Sequence, residues 1–482
     1  MIDRAVVVVG AGPAGMSAAI AAAGAGLEPM VIDENSQVGG QIYRQPPAAF
    51  SAAKEPTHTP DAARGAELRR KFEGFGRRIE LLKGTTAWGL FPPKRLAISG
   101  GGGGWEMIQA EHLILATGAY EYVPPFPGWT LPGVMTPGGA QVMVKSMRML
   151  PGRRILLAGT GPFLLVVAQA LREAGAEVVG IVEAAGKRDG LRVLSGLVAE
   201  PGLLRQGWRL LRQVRRAGIP IFWRHVLLEA QGDDETRQAV YAPCDAQWHP
   251  DRSRPRTAAV DALCVGYGFV PRSQLAQLAG CRMRYAEELG GWIPQTDDHL
   301  QTSLPGIWAA GDGAGVAGSL VAELEGTLAG LAVARQLGGL EREEFEEASR
   351  PVCRRLAKLR RFRAALDRVS RIRPGLSTLA NNETLVCRCE ELSLGEIETG
   401  IAAGGTDIRT LKVMSRLGMG PCQGRMCWPA MARYLAGRTR RSIEEIGPLS
   451  IRPPIQPLTV GALADGDGMA AVSRSDAGEV WP

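Results

Sequence analysis

The sequence predicts an α/β protein: two nested parallel-sheet domains, then a small, mainly helical domain that carries four cysteines. Three observations predict it. An apolar run, a glycine-rich turn and an alanine-rich helix follow one another at residues 6–24, and a similar order recurs from Arg154. A strand ending in Gly311-Asp312 returns to the first pattern late in the chain, so the domains are nested and not in tandem. Cys387, Cys389, Cys422 and Cys427 form a set apart from both.

Size and composition bound the rest. A chain of 482 residues allows about three domains. Hydrophobic residues make up 45% and charged residues 22%, an ordinary globular balance. The 62 glycines exceed the average share and cluster at strand-to-helix turns. The net charge of +7 comes without an aromatic-interleaved basic patch, which argues against nucleic acid and suits an acidic partner or an anionic substrate. No run of 18 apolar residues could span a membrane. Ala5–Val9 lead straight into Gly10, as a buried first strand does and a leader does not, so the cytoplasm is the expected compartment. There, four clustered cysteines suggest a metal site and not a disulfide framework.

In chain order, Val6–Val9, the turn Gly10–Gly15, a helix to about Gly24 and a strand ending at Ile32 make one βαβ unit. Strands are expected at Ile79–Leu82 and His112–Ala116, and the proline-rich Pro124–Pro137 crosses between domains. A second unit holds a strand at Arg154–Ala158, a turn at 159–162, a helix at Phe163–Ala174 and a strand ending at Glu183. Ala259–Gly266 is a further strand, and Ile307–Ala310 leads to a helix from about Ser319 to Leu337. The expected domains are a first dinucleotide-binding part at 1–123, a second domain at 124–268 and a return to the first at 269–345. A basic helical linker at 346–381, the cysteine domain at 382–440 and a tail at 441–482 follow, the last 20 residues being disordered by composition.

The first turn has the spacing of a dinucleotide site. Gly10 permits the tight turn, Gly12 lets the backbone approach a pyrophosphate, and Gly15 lets the helix pack on the strand. Pro13 and Ala14 open that helix, whose free N–H groups favour an anion. Asp33, followed by Glu34, ends the next strand, where a carboxylate accepts from ribose hydroxyls. The second turn repeats Gly159 and Gly161, with Glu183 at the next strand end. Leu164 replaces the third glycine and is expected to crowd the helix against the strand. Glu183 disfavours a 2′-phosphate, so the second site would take NAD or another adenine nucleotide, or stand as fold alone.

Cys387-Arg388-Cys389 and Cys422-Gln423-Gly424-Arg425-Met426-Cys427 present two thiolates from each of two arms. Four thiolates suit a [2Fe–2S] cluster, and a structural zinc site is the alternative. Arg388 and Arg425 can offset cluster charge, and the glycines around Met419 leave N–H groups for sulfur. The five histidines form no constellation, and Cys244, Cys264, Cys281 and Cys353 are scattered thiols. Tyr43 and Arg44 are candidates to touch a flavin or a ligand. The basic stretch Arg354–Arg373, with Leu356, Leu359, Phe362, Leu366 and Val369 at helical spacing, offers a solvated face or a docking face.

Several segments carry a resemblance. Val38-Gly39-Gly40-Gln41, Ala116-Thr117-Gly118 and Ile307–Asp312 resemble the recurring segments of two-dinucleotide-domain flavoprotein reductases, which implies FAD at the first turn. The cysteine set resembles the bacterioferritin-associated-ferredoxin-like [2Fe–2S] domain, in which all four cysteines are ligands. With Asp33-Glu34-Asn35, Gly39–Arg44, Ala116–Glu121, Pro127-Gly128-Trp129, Gly161-Pro162 and Arg452-Pro453-Pro454, nearly the whole chain is similar to the α subunits of heteromeric bacterial FAD-dependent amine dehydrogenases. That family includes opine oxidases, hydrogen cyanide synthase and proline or hydroxyproline dehydrogenases. The resemblance implies an electron-transfer subunit that works with a catalytic β subunit of the D-amino-acid or sarcosine oxidase type. It further implies FMN at a subunit interface in some members and a small ferredoxin-like γ subunit in others. By resemblance Gly10, Gly12, Gly15, Asp33, Gly40, Gln41, Gly311 and Asp312 bind FAD, with Asp312 on the ribityl chain. Two other readings stay open at this level: a stand-alone NADH-dependent reductase, and a non-enzymatic zinc or sensing module.

Overall fold

The computed structural model describes residues 2–46, 60–100 and 104–464, so all but the first two of the 20 residues expected to be disordered lie outside the described residues; those two end the helix Val460–Ala464. The first sheet is built around the apolar run at the start of the chain. Ile2–Val9 buries Val6 to Val9 without alternation, as a central parallel strand covered on both faces does. It pairs in parallel with Met30–Asp33 on one side and Glu106–Leu115 on the other. Glu80–Lys83 extends one edge, and Arg95–Ser99 and Thr86–Phe91 continue the other in antiparallel fashion. Ile307–Ala309 then joins the end of Glu106–Leu115 in parallel, at Leu113–Leu115.

The second sheet runs Ile221–Trp223, Glu177–Glu183, Arg154–Gly159, Ala262–Gly266 and Val134–Met135, all parallel. The proline-rich crossing thus delivers its own short edge strand. The single strand expected at 259–266 is two: Arg256–Ala259 closes a three-stranded antiparallel sheet, and Ala262–Gly266 enters the parallel one. Asp261 divides them, its carboxylate accepting the N–H groups of Arg153 and Arg154 at 3.0 and 2.9 Å. Ala119–Glu121 and Phe269–Pro271 pair where the chain leaves the first domain and where it returns.

The basic stretch belongs to a longer helix, Arg342–Ser370, that begins at a Glu341/Glu344 capping box and runs through Pro351. Phe345, Leu356 and Leu359 bury in the core of the first domain, while Ala365 lies against Gly196 of the second. The C-terminal lobe holds the helices Leu394–Ala402, Ile408–Ser415 and Trp428–Thr439. Its Leu394, Leu411 and Leu435 share one buried cluster with Leu156, Val226 and Trp248 of the second domain.

Candidate functional site

The strand register brings the first-site residues together. Val9 lies beside Ile32 and Leu115, so Gly10, Asp33 and Ala116 emerge side by side. Gly10 has φ +104°, and a β-carbon there would strike the Ala116 carbonyl; one at Gly15 would strike the carbonyl of Gly10. A β-carbon on Gly40 would sit 2.9 Å from Cα of Gly12, and one on Gly311 would sit 2.7 Å from Cβ of Ala14. One on Gly313 would come within 2.6 Å of Oγ1 of Thr117. Four segments far apart in sequence therefore meet in one place. The helix Pro13–Gly24 opens there with Gly12 as its cap and no side chain satisfying its first N–H groups, which leaves them for an anion. Gly118 faces open space.

The acidic residues are tied into the loops around this cradle. Asp33 braces the loops: Oδ2 accepts the Ala11 N–H at 2.6 Å, and Oδ1 accepts from the backbone and side chain of Asn35 at 2.7 and 2.8 Å. Glu34 turns outward to Arg272 at 2.8 Å. Asp312 Oδ1 accepts the N–H groups of Ala317 and Gly318, each at 2.9 Å. Gln41 is exposed. Glu325, which no local motif marks, lies buried behind the turn and accepts from Gly311 N–H and Arg360, each at 2.9 Å. Burial pushes its carboxyl up. Tyr43 is buried, its hydroxyl donating to Glu323 at 2.5 Å, while Arg44 donates to Asn35. Both position the loop.

At the second turn Gly159 lies beside Glu183 and Gly266. Glu183 is turned into its own loop, accepting Gly161 N–H at 3.0 Å and Ala185 N–H at 2.9 Å. Burial pushes its carboxyl up to about 7. Leu164 does not crowd the sheet: it fills the core among Ile155, Leu157 and Cys264. A β-carbon on Gly161 would meet Cβ of Ser370 at 3.6 Å, so the end of the long helix lies beside this turn.

The four cysteines converge. Cys387 acts most strongly on Cys427 and Cys389 on Cys422, and Cys387 with Cys389, and Cys422 with Cys427, are also within electrostatic reach of each other. The neighbouring Cys427, aided by the backbone N–H groups of Glu390, Gly418 and Cys389, brings the Cys387 thiol down to about 6. Cys427 is pushed up by Cys387 and by burial. Gly420 permits this approach, since a β-carbon there would collide with Cβ of Cys389. Arg425 lies where the charges of Arg272, Cys422 and Glu34 reach it, and its Nη1 donates to the Ile455 carbonyl at 3.3 Å. The segment after Arg452 is thereby a strap, for Gln423 also donates to the Pro454 carbonyl and Ile455 N–H donates to Trp88 of the first domain. Arg388 instead stacks over Trp129, 5.6 Å from the ring centre. Among the described residues no three His, Cys, Asp or Glu side chains are grouped to hold a single metal ion.

Two nested parallel-sheet domains whose glycine turns converge beside a thiol-bearing lobe define a flavoprotein oxidoreductase fold. The chain belongs to the pyridine nucleotide-disulphide oxidoreductase family, which it matches over residues 4–336, and residues 381–467 match the sarcosine oxidase A3 domain. It is similar to the HcnB component of hydrogen cyanide synthase from Pseudomonas aeruginosa, 36% identical over 95% of this chain and 97% of the relative. The A component of opine oxidase from Rhizobium meliloti is 34% identical over 95% of this chain and 98% of its own. In fold, L-proline dehydrogenase from P. horikoshii matches with a TM-score of 0.70 at 21% identity, covering 96% of this chain and 79% of that one. The resemblance seen in the sequence is borne out, and the chain is an oxidoreductase subunit. No helix among the described residues is long and apolar enough to cross a membrane.

Proposed function

We propose that this chain is the electron-transfer subunit of a heteromeric FAD-dependent dehydrogenase for amino or imino acids, with FAD on the first glycine turn and a [2Fe–2S] cluster on Cys387, Cys389, Cys422 and Cys427. The observation that carries the reading is the convergence of four thiols from two arms, each within electrostatic reach of its neighbours. A [2Fe–2S] centre asks for two thiolates on each of two irons, whereas zinc asks for one tetrahedral cage. When bound, FAD takes up electrons in pairs and the cluster takes them singly.

The chain's own residues prepare both places. Gly12 and the first turn of its helix would face the pyrophosphate, Gly118 leaves room beside it, and Glu325 holds the Gly311 turn in place. The N–H groups of Gly418 and Glu390 would stabilise charge on the Cys387 sulfur. Arg425 lies within electrostatic reach of both Cys422 and Glu34, next to the first site. Oxidation of the substrate C–N bond is assigned to a partner of the D-amino-acid or sarcosine oxidase type, in keeping with relatives named as subunits of opine oxidase and hydrogen cyanide synthase. Ser370, lying beside Gly161 where a second nucleotide's phosphates would sit, favours this reading over a stand-alone NADH reductase.

The test is co-expression with the genes that neighbour it. The complex is expected to contain about two irons and matching acid-labile sulfide per copy of this chain, with extractable FAD. It should oxidise an opine, proline or hydroxyproline, while the isolated chain should not. Iron-free yellow protein, or an isolated chain as active as the complex, would overturn the proposal.

A further inference from the structure

Two arginines lie inside the cysteine arms, and the fold places them differently. Arg388 is exposed, its guanidinium stacked over Trp129 at 5.6 Å from the ring centre. A charge held in water is largely screened. Arg425 is half-buried. It shares a tight turn with Cys422, whose carbonyl accepts its N–H at 3.2 Å, and Cys427 follows two residues on. Its guanidinium makes no ion pair among the described residues; Nη1 donates to the uncharged Ile455 carbonyl at 3.3 Å. Arg272, Cys422, Tyr120 and Glu34 all lie within electrostatic reach of it.

Arg272 and Glu34 connect this charge to the first site. The Arg272 N–H donates to the Gly118 carbonyl at 2.9 Å, and the Arg272 carbonyl accepts from Thr117 Oγ1 at 2.6 Å. Its guanidinium donates to Glu34 at 2.8 Å. Glu34 in turn follows directly on Asp33, which braces the first glycine turn through the Ala11 N–H. Arg272, Glu34 and Arg425 therefore form a plus–minus–plus series from the Thr117-Gly118 loop to the second cysteine arm. The carboxylate is bonded to Arg272 and reaches Arg425 only through space, so the unbalanced positive charge lies at the cysteine end.

A four-thiolate centre becomes more negative when it takes up an electron, and a neighbouring cation favours that form. The pull is stronger where water is partly excluded. Burial, and then the like charge of Arg272, push the pKa of Arg425 down, yet an arginine keeps its proton in a protein.

We propose that Arg425, set against Glu34, governs how an electron divides between the flavin and the cysteine-held [2Fe–2S] centre: the arginine draws it to the cysteines, and the carboxylate offsets part of that pull. The proposal rests on the electron-transfer reading above. The exchange moves one electron, lost by the reduced flavin and gained by the centre.

The test is a redox titration of the full complex with dithionite and mediators, followed by the EPR signal of the reduced cluster and by flavin absorbance. Arg425→Gln keeps a donor for the Ile455 carbonyl and removes the charge. It is expected to shift the cluster equilibrium at least tenfold toward the oxidised form, a midpoint lower by about 59 mV for a one-electron couple, with iron, sulfide and FAD contents unchanged. Arg425→Lys restores the charge and should return the midpoint to within threefold of the wild type. Glu34→Gln should shift the equilibrium the other way, at least threefold toward the reduced form. Arg388→Gln, on the screened arginine, should move it less than twofold. A loaded Arg425→Gln complex with the wild-type midpoint, or one shifted no more than Arg388→Gln, overturns the proposal. Should Arg425→Gln fail to fold or to hold iron, Glu34→Gln decides, and a midpoint that stays or falls in that variant overturns it equally. A wild-type complex without iron refutes instead the function beneath it.

Discussion

At the scale of single residues, the sharpest constraint falls on a glycine outside the nucleotide motifs. Gly420 sits so close to Cys389 that a β-carbon would have to displace the side chain of that cysteine. Gly420→Ala should therefore purify with FAD retained but with less than half the iron of the wild type, measured as metal per chain. Full iron occupancy in that variant would show that the close approach is dispensable. Glu183 makes a different prediction, through pH. Burial raises its carboxyl from the ordinary 4.5 to about 7, so over that range the folded chain holds more protons than the unfolded one. Stability then falls as pH rises, by about 1.4 kcal/mol per unit and by about 3 kcal/mol in all as an upper bound. Glu183→Gln should flatten the dependence of the denaturation midpoint between pH 4.5 and 7. Parallel curves for variant and wild type would assign the effect to another group.

At the scale of elements, the helix Arg342–Ser370 ties the molecule together. Arg355 reaches Glu200 of the second domain, and Arg360 reaches the buried Glu325 behind the Gly311 turn. Removing Arg360 leaves a buried carboxylate with only the Gly311 N–H. Arg360 is itself half exposed, so a cost of about 1–2 kcal/mol is expected and not that of a fully buried pair. Arg360→Ala should lower Tm by a few degrees and loosen FAD, read by flavin release on dilution; unchanged retention would detach Glu325 from the cradle. The same helix ends beside the second turn, so anaerobic NADH should leave the flavin oxidised, and rapid bleaching would mean that Ser370 does not keep a nucleotide out.

Much of this was legible in the sequence, because the glycine turns, the strand ends and the cysteine arms are local patterns with local causes. Gly10, Gly12 and Gly15 announce a tight turn whatever lies around them. Pro351, by contrast, hid the first half of the long helix, since a proline normally argues for an end. The crowding expected at Leu164 failed because a core of Ile155, Leu157 and Cys264 accommodates it. The roles of Tyr43, Glu325 and Arg425 depend on partners far along the chain, which no spacing rule reveals.

At the scale of the whole molecule, the cysteine lobe is joined to the dinucleotide domains by a shared interior. Leu394, Leu411, Leu417 and Leu435 lie in the same buried cluster as Leu156, Val226, Tyr241 and Trp248. Trp129 donates to the Leu385 carbonyl at 2.6 Å, and Gly375 packs so tightly on Trp248 and His249 that no β-carbon would fit. Large apolar faces left open in this way drive association in water. A chain ending at residue 380 should accordingly aggregate, or unfold at a markedly lower temperature than the full chain, even when FAD is supplied in excess. Sedimentation and a thermal scan of the truncated protein decide the matter. A monomer that melts cooperatively at the wild-type temperature would show that the lobe is an appended module. In that event the coupling between the cysteine arms and the first site would have to run through Arg425 and the strap at Pro454–Ile455 alone.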